Sequence, residues 1–113
     1  MTSPNQLLLT VWREVINASM SGEWIDATLN EAGSNPDAPF ADVAGVVERL
    51  LALGATREEL SRIVRWASFE ASFILLDMLR DPSIDRSDYE QLQQSLLEAD
   101  PSGREGRPGS WPL

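Results

Sequence analysis

The chain has 113 residues, 42% of them hydrophobic, with 18 acidic residues against 9 basic ones and a formal charge of −9. That length supports a single hydrophobic core and one ordinary domain. Every basic residue is arginine, and lysine, histidine and cysteine are absent, which excludes Ser-His and Cys-His nucleophiles, thiol redox chemistry, nitrogen and sulfur zinc sites, and Schiff-base or phosphate-binding lysines.

The first helix is announced by Ser3-Pro4-Asn5-Gln6, in which Ser3 caps, Pro4 suits the first helical position and Gln6 reaches back as in a capping box. It should run to about Met20, with Leu8, Val11, Trp12 and Val15 along one side and Leu7, Ile16 and Ser19 at its edge. Ser21-Gly22 breaks it. A shorter second helix then faces Trp24, Ile25 and Leu29 inward and ends at Gly33, before a loop over residues 33–37. The third helix is predicted from Pro39, carrying Phe40, Val43, Val46, Val47, Leu50, Leu51 and Leu53, and stops at Gly54. Thr56-Arg57-Glu58-Glu59 is a second capping box. The short turn before it implies a helical hairpin or a sharp corner.

The fourth helix, residues 57–81, is the most informative stretch. Leu60, Ile63, Val64, Ala67, Ala71, Ile74, Leu75 and Met78 fill one arc, and Trp66, Phe69, Phe73 and Leu76 fill another. A helix apolar on almost every side is expected to be surrounded. Asp81-Pro82 disfavours its continuation. Asp85 and Ser87 are alternative caps for a fifth helix carrying Tyr89, Leu92, Leu96 and Leu97 and ending near Ala99. Residues 100–113 contain three Pro and three Gly and read as an irregular tail, in which Trp111 is a docking anchor for this chain or a partner. The expected architecture is all-α: a compact bundle of about five helices around a long apolar central helix, with a helical domain over 1–99 and a tail over 100–113.

Candidate site residues concentrate on the fourth helix. Glu70 and Asp77 lie within its apolar arc, flanked by Trp66, Phe73, Arg62 and Arg80. Carboxyls in such a setting serve as a general base, a cation holder or an oxygen ligand if they are desolvated. Seven residues of helix separate them by about 10 Å, so they do not share one ion unaided. The simpler expectation pairs Glu70 with Arg49 or Arg13 and leaves Asp77 near the helix end. Asp81, Asp85, Asp88 and Glu90 do not follow the EF-hand spacing, and capping accounts for Asp85 and Asp88. The helix, turn and helix of residues 47–65 has a DNA-binding rhythm, but the second helix is long and apolar rather than short and basic. Of the four tryptophans, Trp12, Trp24 and Trp66 are expected to fill the core.

These features predict a cytoplasmic, non-enzymatic protein-interaction or regulatory module, of an immunity or antitoxin-like kind. It would act through an acidic, aromatic-containing surface formed by Glu70, Asp77, Trp66, Phe73, Arg62 and Trp111. No cofactor or metal is implied. Neither a membrane nor nucleic acid is expected as a partner, because no long apolar run exists and the charge repels phosphate. A homodimer or tight heteromer would cover any surplus apolar surface. The rival expectation is a helical ligand-binding protein or enzyme using a buried Glu70 carboxylate, in which Glu70→Gln abolishes ligand-induced stabilisation and leaves the fold intact.

Overall fold

The structure is a computed structural model and describes residues 3–83, 93 and 95–108. Those residues are helical or irregular and form no strand. The four α-helices are α1 (Pro4–Val11), α2 (Glu23–Ser34), α3 (Val43–Ala52) and α4 (Arg57–Leu79), with a π-helical turn (Trp12–Ile16) and a 3-10 turn (Ala18–Ser21) between α1 and α2.

Both predicted capping boxes form. Ser3 Oγ accepts from the Gln6 N–H at 3.2 Å while the Ser3 N–H donates to Gln6 Oε1 at 3.0 Å. At the start of α4, Thr56 Oγ1 accepts from the Glu59 N–H at 3.0 Å and the Thr56 N–H donates to Glu59 Oε1 at 2.9 Å. Each box satisfies helix-end donors that would otherwise lack a partner.

The first helix ends earlier than its periodicity suggests. After Val11 the backbone widens into the π-turn, closed by the Asn17 N–H donating to the Trp12 carbonyl at 2.8 Å. The 3-10 turn follows, and Gly22, at φ 79°, provides the left-handed step into α2. This change of winding buries Ile16 and Ser19, which straight helical periodicity puts at the edge of the inward side. Leu8, Trp12 and Val15 of that expected inward side are exposed instead, and α1 buries no residue.

The core is small. Ile25 of α2, Val47 of α3 and Leu60 of α4 form its buried centre, with Trp24, Leu29, Leu51 and Ala55 packed against it. α2 packs on α3, whereas α4 packs chiefly on the π and 3-10 turns. α3 and α4 therefore meet at a corner, where Gly54 takes φ 109°, and do not lie side by side as a hairpin.

The long helix is present, but it is not central. Its 23 residues span about 34 Å at ~1.5 Å per residue, whereas α2 and α3 have 12 and 10 residues. Only Leu60 and Ser61 of α4 are buried, both in its first two turns. The chain exposes 9031 Å², against about 6,200 Å² for a folded monomer of its mass. Its radius of gyration is 16.3 Å, against about 13 Å for a compact domain of this length. The molecule is more open than the expected enclosed bundle.

Much of the expected fifth helix lies outside the described residues, including Asp85, Ser87, Asp88, Tyr89, Glu90 and Leu92. Gln93 and Ser95 are helical, and Leu96–Ala99 form a turn closed by the Ala99 N–H donating to the Ser95 carbonyl at 3.0 Å. Residues 100–108 contain no helix. They return to the loop before α3, where the Phe40 N–H donates to the Gly106 carbonyl at 2.7 Å. A Cβ on Gly106 would stand 2.9 Å from the Phe40 ring, so glycine is required for this approach.

Candidate functional site

α4 has two different sides. The enclosed side runs through Ser61, Val64, Ser68, Ser72, Leu76 and Leu79, and three of these six are serines. Small side chains let the backbone come close to the π and 3-10 turns. Ser61 anchors the contact: Trp24 Nε1–H donates to its hydroxyl oxygen at 2.9 Å, and the buried Ser19 hydroxyl donates to its carbonyl at 3.0 Å.

The other side of α4 faces outward. Arg62, Trp66, Glu70, Phe73 and Asp77 are spaced by four, four, three and four residues and so lie on one stripe. Ile63 and Ile74 border it, and both are exposed. Trp66 is 65% exposed and Phe73 63%, which corrects the expectation that Trp66 fills the core. The Arg62 and Asp77 side chains are 70% and 63% exposed. Five of the six residues singled out from the sequence are thus brought together on one open surface. Trp111 lies outside the described residues.

Glu70 is exposed, not desolvated. Apolar residues surround it along the helix, but no other described element closes over it. Among the described residues it makes no ion pair, so the expected bridge to Arg49 or Arg13 is absent; Arg13 instead contacts Glu14 at 3.1 Å. Asp77 pairs along its own helix with Arg80 at 3.6 Å, and Arg62 pairs with Glu58 at 2.9 Å. Exposed pairs of this kind contribute little stability and exchange readily.

An aromatic row links the stripe to the π-turn. The Trp12 and Phe69 rings lie 5.8 Å apart and the Phe69 and Phe73 rings 6.2 Å apart, both tilted. The Arg65 guanidinium stands 5.8 Å from the Trp12 ring centre and donates to Asn17 Oδ1 at 2.7 Å. Trp12, at the end of this row, is 40% exposed. Its helical spacing assigns Trp12 to the core, and no local signal distinguishes the two outcomes.

Among the described residues, two carboxyls are held below the usual carboxylate range, and both are structural. The Thr56 N–H, then the Thr56 hydroxyl, and more weakly the Arg62 charge lower Glu59. The Gly106 N–H, then the Ser102 N–H and hydroxyl, lower Asp100 and tie the 100–106 turn. A concavity of about 280 Å³ between α2 and the loop before α3 is lined by Thr28, Glu31, Ala32, Pro39 and Phe40, among others, and does not include Glu70. No group of three or more carboxylates among the described residues could hold a metal ion. None of the described helices is long and apolar enough to cross a membrane.

No protein-family model matches the chain, and no curated protein or solved structure matches it significantly.

Proposed function

We propose that the protein is a non-enzymatic interaction module whose working surface is the α4 stripe of Arg62, Trp66, Glu70, Phe73 and Asp77. The observation that carries this reading is the exposure of Trp66 and Phe73 beside exposed Ile63 and Ile74. Large aromatic side chains left open to water in one contiguous stripe are the usual anchors of protein interfaces. The charged residues fit the same role. Arg62, Glu70 and Asp77 give the surface polarity and register without forming a catalytic constellation. An open stripe also disfavours the buried-carboxylate alternative, since an acid or base at Glu70 would need an enclosing pocket.

Affinity co-purification tests the reading. The tagged chain is coexpressed with an untagged copy in its own host and compared with the Trp66→Ser/Phe73→Ser variant. The expected result is a stoichiometric protein species with the wild type, either the untagged copy or a different protein, that is lost with the variant. Elution of the wild type alone, or the same species from both, would overturn the proposal.

A further inference from the structure

We infer that the occupant of the α4 stripe is a second copy of this chain, packed antiparallel about a two-fold axis that crosses the helix between residues 69 and 70. This rests on the interaction reading above and adds the partner and the geometry.

The charge pattern carries the argument. Arg62 and Asp77 lie equally far on either side of that midpoint, and so do Trp66 and Phe73. Reversing one copy against the other sets Arg62 against Asp77 of the second copy and Trp66 against Phe73 of the second copy. The two-fold axis repeats each match, as an isologous interface requires. A parallel match would instead oppose Glu70 to Glu70 and Asp77 to Asp77. Arg62 and Asp77 are free to change partners, because their present contacts to Glu58 and Arg80 are exposed pairs within one helix.

The helix is suited to its own copy in net charge as well. From residue 57 to 80, Arg57, Arg62, Arg65 and Arg80 balance Glu58, Glu59, Glu70 and Asp77, so four positive charges offset four negative ones. The chain's formal charge of −9 is therefore carried outside this segment. Glu70 is the one unfavourable element: it lies next to the axis, so the pairing brings two carboxylates together.

Light scattering and sedimentation equilibrium of the full chain test this, using the wild type, Arg62→Asp, Asp77→Arg, the double exchange Arg62→Asp/Asp77→Arg, and Glu70→Gln. Circular dichroism confirms that each exposed substitution keeps the helices. The wild type should dimerise, each single reversal should weaken the dimer by roughly tenfold or more, and the double exchange should recover most of the loss. Glu70→Gln should tighten it. A dimer indifferent to both single reversals, a double exchange no better than the singles, or a dimer weakened by Glu70→Gln would overturn the antiparallel match. A wild type that stays monomeric from micromolar to millimolar concentration would overturn the second copy as occupant. In that case, loss of a different co-purified protein on Trp66→Ser/Phe73→Ser would still uphold the interaction reading, and its absence would sink both.

Discussion

The first two turns of α4 and the turns after Trp66 use the same backbone in opposite ways. At the N-terminal end, Leu60 and Ser61 are buried, Thr56 and Glu59 close the capping box, and Arg57 reaches across to Asp26 at 2.9 Å and to the Gly22 carbonyl at 3.0 Å. Toward the C-terminal end, Trp66, Phe73, Ile74, Leu75 and Met78 are all exposed, although this end holds more of the large apolar side chains. Hydrophobicity alone therefore did not decide which half is enclosed. Reach did: α2 and α3, at 12 and 10 residues, are about half as long as the 23-residue α4, which packs chiefly on the short π and 3-10 turns.

The largest expected effect lies at the enclosed end. Ile25 is fully buried against Val47 and Leu60, and Ile25→Ala should cost about 2–5 kcal/mol of unfolding free energy, through lost transfer energy and a residual cavity. Chemical denaturation followed by circular dichroism measures it. A loss below 1 kcal/mol, taken roughly as a surface-like value, would mean that this end is no better packed than the other.

A smaller effect belongs to the cap. Thr56→Ala removes one acceptor for the Glu59 N–H and should cost about 1 kcal/mol. Its reciprocal partner adds an acid dependence. Glu59 is held below its ordinary value in the folded state, chiefly by the Thr56 N–H. The folded state therefore binds that proton less readily than the unfolded chain. The contribution is fully present above the unfolded carboxylate value and is lost as pH falls through the lowered folded value. A titration of melting temperature across the acid range should show this loss, and Glu59→Gln should flatten that part of it. A profile identical in the two proteins would remove Glu59 from the account.

The smallest effect is expected on the open half. At low protein concentration, where self-association is absent, Trp66→Ala and Phe73→Ala should each change monomer stability by no more than about 0.5 kcal/mol, since both side chains already meet water. Thermal melting as a function of concentration checks this. A large loss at low concentration would show that the C-terminal half is packed within the monomer, and the contrast between the two halves would collapse.

Much of the local structure was legible in the residues. Ser3 with Gln6 and Thr56 with Glu59 announced two helix starts, Gly54 marked a stop, and the spacing of Trp24, Ile25 and Leu29 identified the inward side of α2. These depend on neighbours in sequence, and their hydrogen bonds are made within a few residues. The candidate stripe was legible as well, because spacings of three and four residues place Arg62, Trp66, Glu70, Phe73 and Asp77 together on any helix. What failed was the inference that an apolar helix must be surrounded. Trp12 and Trp66 were expected to fill the core, and both lie exposed, as do Leu8 and Val15 on the apolar side of the first helix.

Local chemistry thus settled where helices begin and stop and which residues share a stripe, because capping, glycine conformation and helical periodicity act over one or two turns. Tertiary structure decided the rest. The π-turn after Val11 exchanged the predicted inward side of the first helix for Ile16 and Ser19. The close fit of Ser61 to Trp24 and Ser19 chose the serine-bearing side of α4 for burial. That choice turned Glu70 and Asp77 outward. Burial is a property of two surfaces that meet, and one helix read alone carries only half of that information.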